Sequence, residues 1–374
     1  MLTRIWSLVV KEFIHLRNDW WLPAFMLLGG TMELLLVGWA TSRPITNLPL
    51  MVLDYDRSRA SRGVVTALVN TGTFRLEAQV ANFYEIEDAL DTGKIIAAVI
   101  IPEDFSEKVA SPTGHPTLPV LLNGAESIPA TAALRAIEGV SRELGENIII
   151  KRLGLPPDSF SGMDFSLRVW FNEALNEALY STPAELALML EFTVLLFAAL
   201  SLTRERELGT LEQLLVMPFS SFEIILGKSI PVVIIGILDF IMMLGVVHFF
   251  FAVPVRGSLV LLFVLAFGYL FVELGKGLVI SVISRTQHQA FMLVMLIGMV
   301  DFMFTGYAVP VESMPLILQR FAYFIPAHHW LAIVRGILIK GSGFMVLLPH
   351  VGALIVLGII IGGFSLRFVR RALD

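Results

Sequence analysis

Six apolar runs set the plan of this chain. They cover roughly 20–40, 184–203, 229–253, 258–283, 289–309 and 346–366. Each is close to the ~20 residues that an α-helix needs to cross a hydrocarbon core. A bilayer leaves helices and closed barrels as spanning structures, because no water there satisfies the backbone, and these unbroken runs predict helices. Ahead of the first run, Ile5, Trp6, Leu8, Val9, Phe13 and Leu16 lie beside Arg4, Lys11 and Arg17. That amphipathic pattern predicts a helix lying in the cytoplasmic interface. Between the first two runs the period changes. Short β-rich stretches at 48–54, 74–80, 95–101 and 117–122 alternate with helical patterns at 58–70, 83–92, 103–110 and 128–153. Strands alternating with helices predict a small α/β domain. Pro156, Pro157 and the stretch from Ser159 to Gly162 mark a loop, and Phe165 to Asn172 then alternates like a further strand. The expected fold is a mainly α membrane protein with six transmembrane helices, an N-terminal interfacial helix and an extracytoplasmic α/β domain between spans one and two. Its parts are the interfacial helix 1–19, the first span 20–43, the α/β domain 44–183 and the remaining spans in 184–374.

Composition agrees with this plan. Hydrophobic residues make up 56% of the 374 and charged residues only 16%, against about 25% in soluble domains. A net charge of −5 gives no footprint for nucleic acid, and the absence of cysteine excludes disulfides, thiolate metal sites and cysteine nucleophiles. With a cytoplasmic N-terminus, the inner segments hold Arg4, Lys11, Arg17, Arg204, Arg206, Lys228, Arg285, Arg367, Arg370 and Arg371. The short outer segments hold only Arg256, Arg320, Arg335 and Lys340. Ten against four places both termini inside. The first run is longer than a signal-peptide core, so it is expected to remain as a span.

The stretch LTRERELGTLEQLLVMPFSSFEIILGKS, residues 202–229, concentrates charge between two spans. It ends in Gly227-Lys228-Ser229, but a phosphate-binding loop needs an earlier glycine, where this chain has Phe222, and a preceding strand. The stretch therefore reads as structure. Thr210-x-x-Gln213 and Ser220-x-x-Glu223 have the form of capping boxes. Gly209 suits the end of one helix, and Pro218 stops the next. These signals predict that span two ends near Glu207, that a short helix starts at Leu211, and that another begins after Ser220 and runs into span three. Leu208, Leu211, Leu214 and Leu215 fall on one face of the short helix and Glu212 on another.

The run RERELGTLEQLLVMPFSSFEIILGK resembles the cytoplasmic signature of ABC-2 type permeases in the drug-efflux branch of bacterial ABC exporters. Residues 304–341, FTGYAVPVESMPLILQRFAYFIPAHHWLAIVRGILIKG, resemble that family's extracytoplasmic hairpin between spans five and six. VLDYDRS at 52–58 and VWFN at 169–172 fit its outer domain more weakly; Glu173 stands where the family often has proline. The resemblance implies a coupling helix at about 204–219 that docks on a separate ATP-binding subunit. Arg204, Glu205, Arg206, Glu207, Gly209, Thr210, Leu211, Glu212, Leu215 and Pro218 would carry that coupling. The resemblance also implies a second permease, identical or a sister chain, a periplasmic adaptor as a further partner, and a place in the bacterial inner membrane. No cofactor is expected on this chain, with ATP and magnesium on the partner, and this chain is not itself catalytic. The hairpin at about 310–345, with Gly306, Pro310, Pro315, Pro326 and Arg335, would form the outer gate as two short helices dipping into the outer leaflet.

Charges inside apolar runs are costly and functional by default. Asp239, Asp301, Glu273 and Lys276 are the candidates for the transport path or dimer seam. The bland readings differ by residue. Glu273 and Lys276, three apart, can neutralise one another. Glu33 and Glu191 would reach water, His248 would be a neutral boundary residue, and Asp239 and Asp301 would make structural hydrogen bonds. His328 and His329 have no accompanying ligand set, and with Trp330 they read as headgroup-layer residues. The expected cargo is a small amphipathic, drug-like compound. The alternatives are a lipid or polysaccharide, an ion-gradient-driven transporter using Asp239 and Asp301, and a ligand-sensing membrane protein.

Overall fold

The computed structural model describes residues 1–42, 45–154, 170–173, 176–217 and 219–373, with the side chains of Leu214, Leu215, Ala372 and Leu373 outside that description. The expected loop at 156–162, most of the expected strand at 165–172, the Leu215 side chain and Pro218 therefore lie outside the described residues. The chain divides into two compact units, one of Met1–Arg43 with Arg168–Asp374 and one of Pro44–Leu167.

The smaller unit is built on strands β1 (Leu48–Asp54), β2 (Phe74–Val80), β3 (Ala97–Ile101) and β4 (Val120–Leu122). Their order is β2-β1-β3-β4, with β1 parallel to both neighbours and β4 antiparallel to β3. To follow the chain order, helices are numbered from the N-terminus: α1 (Leu2–Asn18), α2 (Trp21–Thr41), α3 (Arg59–Asn70), α4 (Phe83–Asp91), α5 (Phe105–Ala110) and α6 (Ser127–Leu153). β1 and β3 are apolar on both sides because both sheet faces are covered. Leu50, Val52, Val99 and Ile101 pack with Val64 and Leu68 of α3 and Ala133 and Val140 of α6. Leu53 and Ala98 pack with Ile86 and Ala89 of α4. The DYDRS stretch is a capped corner. Ser58 Oγ accepts from the amides of Ala60 and Ser61, and Ser61 Oγ donates to Asp54 at 2.7 Å, which turns β1 into α3.

The larger unit contains α7 (Glu177–Glu207), α8 (Leu211–Val216), α9 (Ser221–Gly245), α10 (Leu259–Ile283), α11 (Gln287–Phe304), α12 (Leu316–Ala322), α13 (Pro326–Arg335) and α14 (Phe344–Leu373). One π-helical turn continues α9 at Val246–Phe250 and another continues α13 at Gly336–Lys340. Among the described residues six helices are long and apolar enough to cross a membrane: α2, α7, α9, α10, α11 and α14. α7 is buried along most of its length and packs against α2, α9, α10, α11 and α13. Close approach needs small residues. A Cβ on Gly277 of α10 would lie 2.4 Å from the Ala198 Cβ of α7, so that crossing admits only glycine. The α12–α13 pair is bent by 81° at its break.

Candidate functional site

Two sites lie at opposite ends of α7. Tyr180 packs with the hairpin and Glu205 with the charged bracket. At 1.5 Å per residue, their separation along the helix is about 37 Å, a membrane's depth.

The bracket is a set of caps around buried charge. α7 stops in a Schellman motif. Gly209 takes φ +70°, its amide donates to the Arg206 carbonyl, and the Thr210 amide donates to Glu205. At the start of α9 the expected capping box forms, with the Ser220 hydroxyl and Glu223 carboxylate satisfying each other's backbone amides. The other expected box does not form. Thr210 gives α8 no side-chain cap, and its hydroxyl donates to the Glu205 carboxylate instead. Donating to a charged carboxylate gives the hydroxyl a stronger bond than accepting from a backbone amide would.

Glu205 is the hub. Its Oε1 lies 2.8 Å from Lys11 Nζ of α1 and 3.2 Å from Lys228 Nζ of α9. Lys228, 3% exposed, also meets Glu12 at 2.6 Å and donates to the Ser201 carbonyl at 2.9 Å. The lysine of the Gly-Lys-Ser triplet is thus engaged in a buried ion network. Its neighbour Gly227 lets α1 lie against α9, where a Cβ would come 2.5 Å from Leu8 Cβ.

The rest of the bracket is tied down in the same way. Arg204 pairs with Asp19 at 3.0 Å, and Arg206 donates to the carbonyls of Val282 and Ser284 at the end of α10. Glu207 accepts from the amide and side chain of Gln287 at the start of α11. Leu211 packs on the bundle core. Among the described side chains, those presented include Leu208, Glu212, Gln213, Val216 and Met217, with Val216 88% exposed. The ten expected coupling residues therefore separate physically. Arg204, Glu205, Arg206 and Glu207 bind the bracket to α1, α9, α10 and α11, Thr210 braces Glu205, and Glu212 faces out.

Midway along the bundle lies a second charge cluster. Lys276 Nζ of α10 is 2.6 Å from Asp301 of α11, 2.8 Å from Glu273 one turn earlier, and 2.9 Å from Glu191 of α7. The (i, i+3) pairing of Glu273 with Lys276 is present, but it is one of three contacts. Glu191 does not reach water; it is fully buried, because α10 and α11 close over that face of α7. Asp239 stands apart, buried on α9 beside Thr193 of α7.

At the other end, Gly306 takes φ +86°, Pro310 and Pro315 precede the 3-10 turn Val311–Ser313 and α12, and Pro326 opens α13. Arg335 latches this end, donating to the carbonyls of Gly306 and Tyr180 at 3.2 Å and lying 3.9 Å over the Tyr180 ring. Trp330 is not a headgroup-layer residue. It is fully buried and stacks on Tyr269 of α10 at 4.9 Å, because α13 runs into the bundle core. The signal was present in sequence, since Trp330, Ile333, Val334 and Ile337 repeat at helical spacing. Tyr269 precedes Glu273 by one turn, so ring stacking joins α13 to the helix of the charge cluster. Sequence reasoning passed over Glu12, Tyr269 and His350. Glu12 and Tyr269 carried no distinguishing pattern, whereas His350 is an imidazole inside an apolar run.

Residues 20–367 match the ABC-2 family transporter protein family. The chain belongs to the ABC-2 transporter family. It is 28% identical over 371 residues to a probable multidrug ABC transporter permease, YbhR of Escherichia coli, covering 99% of both chains. It is 27% identical to a second, YbhS, covering 99% of this chain and 98% of that one. An inner membrane transport permease of Escherichia coli, YhhJ, is 26% identical, with 96% and 94% covered. The chain is thus a multi-pass ABC permease, and the six long apolar helices among its described residues are the candidates for its membrane spans.

Proposed function

We propose that this permease is the membrane-spanning half of an ATP-driven exporter that moves a small amphipathic compound outward from the cytoplasm or inner membrane. A separate ATP-binding subunit, carrying ATP and magnesium, docks on α8, and a second permease completes the pore. Both termini and the bracket lie in the cytoplasm, α1 rests in the interface, and the α/β unit is extracytoplasmic. The hairpin around Pro310, Pro315, Pro326 and Arg335 gates the exit. The cluster of Glu273, Lys276 and Asp301, with Asp239, borders the path or the seam between permeases.

The observation that carries this reading is the division of the bracket. One side is locked into four helices by Glu205, Arg206, Glu207 and Lys228, while the other offers Leu208, Glu212, Val216 and Met217 to a partner. A rigid lever of this kind transmits displacement of α8 to the spans, as a loose loop would not. Names of relatives that contain the word multidrug support the cargo class.

The test is co-expression of the full chain with ATP-binding subunits and measurement of ATPase activity in nanodiscs. Val216→Asp and Glu212→Ala are expected to weaken the complex and to lower permease-stimulated ATPase activity, together by about tenfold, the scale of a central interface contact. Val216 is the better site than Leu211, whose packing on the bundle would confound the result. Failure of the wild type to associate with any ATPase subunit, with uptake driven by a pH gradient instead, overturns the reading.

A further inference from the structure

We propose that His328, His329 and His350 form a binding site for a divalent transition-metal ion of the zinc class, joining the hairpin to the last span. One ring nitrogen from each histidine lies within 4.8 Å of the other two. Two residues come from the first turn of α13, and the third comes from α14, 21 positions away from His329. The fold, not the sequence, assembles the set.

Hydrogen bonds fix the tautomers of two of the three rings. His329 Nε2 lies 3.0 Å from the Tyr323 carbonyl, which can only accept, so Nε2 carries the proton and Nδ1 keeps its lone pair. His328 Nδ1 lies 3.3 Å from the Thr305 carbonyl, so the lone pair of His328 is on Nε2. Metal-bound imidazoles have this second contact, in which the distal N–H donates to a carbonyl and fixes the tautomer. His329 Nδ1 and His350 Nδ1 are 3.1 Å apart. Two nitrogens sharing a tetrahedral ion at 2.0–2.1 Å would stand about 3.3 Å apart.

The surroundings leave a coordination position open. His328 and His350 line a cavity of about 540 Å³ with Glu312, Tyr323 and Lys340. Three imidazoles and an open fourth site suit zinc, copper or nickel rather than magnesium or calcium, which take oxygen ligands. The charges on this cavity are Glu312, Arg335 and Lys340. Arg335 is engaged with the Gly306 and Tyr180 carbonyls, which leaves Glu312 and Lys340 to offset each other. Among the described residues a second group has similar spacing, Glu12, His15 and Glu205. There Lys228 and Lys11 already occupy the carboxylates, so it is an ion-pair network and not an empty cage.

A metal at this place would hold α13 against α14 and so fix the hairpin. The test is titration of the purified full-length chain, in nanodiscs and free of affinity-tag histidines, with cobalt(II) and zinc(II). The expected result is one cobalt per chain, with the visible absorption of a nitrogen-ligated tetrahedral ion, displaced by zinc. His350→Gln and His328→Gln, both at half-buried positions, should each weaken binding by about tenfold or more through loss of one ligand. His15→Gln should leave it unchanged. Zinc should also raise the melting temperature of the wild type and not of His350→Gln. Absence of saturable binding to the wild type, or binding that persists when His328 and His350 are both glutamine, overturns the proposal and leaves a hydrogen-bonded histidine triad.

Discussion

Lys276→Ala is expected to destabilise the bundle by about 3–5 kcal/mol, the cost of removing one partner from a buried ion cluster. The reason is the imbalance at this point. Three carboxylates, from Glu191, Glu273 and Asp301, converge on one ammonium, and none of them is more than slightly exposed. Without the lysine the three carboxyl groups lose their shared donor and counter-ion in a low-dielectric interior, must repel or take up protons, and no longer join α7, α10 and α11. Cavity formation adds to this, so a second variant separates charge from volume. Lys276→Met combined with Glu191→Gln, Glu273→Gln and Asp301→Asn removes every charge and nearly conserves shape. It is expected to recover most of the lost stability, because well-packed neutral groups replace buried ion clusters at little cost or with gain. The measurement is the midpoint of denaturant unfolding in one detergent for the three proteins. If the quadruple variant is stable but inactive in transport, the cluster acts in the transport cycle; if it is active, the cluster serves folding alone. A Lys276→Ala midpoint equal to wild type would show that the charges are not confined as described.

The contrast between this cluster and the bracket shows what one sequence can and cannot convey. The six long apolar helices were legible because a bilayer imposes a length and an apolar composition on each crossing. Ser220, Glu223 and Gly209 were legible because caps act over three or four residues, within reach of a local pattern. Thr210 was misread for the complementary reason. Its partner Glu205 is buried by Lys228 and Lys11, and those come from helices that no local rule brings together. Glu273 and Lys276 were visible as a pair, whereas Glu191 and Asp301 reach the same ammonium from two other helices, placed by the close packing of Gly277 on Ala198 of α7 and of Gly298 of α11 on Phe192. Trp330 illustrates a preference overridden by context, since interfacial enrichment of tryptophan is a tendency of lipid-facing positions and α13 is not one.

Lys228→Met is expected to cost about 3 kcal/mol, the lower end for a broken buried ion pair, since Glu205 keeps Lys11. Methionine conserves the length of the stem, so the loss reports the ammonium: its contacts to Glu12, Glu205 and the Ser201 carbonyl disappear together. The consequence should be local before it is global. α1 is held to α9 by this charge and by the close approach of Leu8 to Gly227, so hydrogen exchange in α1 and at the end of α7 should accelerate while α10 and α11 remain protected. The double variant Glu205→Gln with Lys228→Met should be less damaged than the two single losses added, with a coupling of about 1–3 kcal/mol, as expected for residues in one ion network. The same variants decide between the two meanings of Gly-Lys-Ser. A phosphate-binding lysine would show its loss as reduced nucleotide labelling of this chain. A lysine that ties the bracket to the spans should leave such labelling at background in wild type and variant alike, and should instead uncouple transport from the ATPase activity of the assembled complex. Strong nucleotide labelling of the wild-type chain that Lys228→Met abolishes would overturn the structural role assigned here.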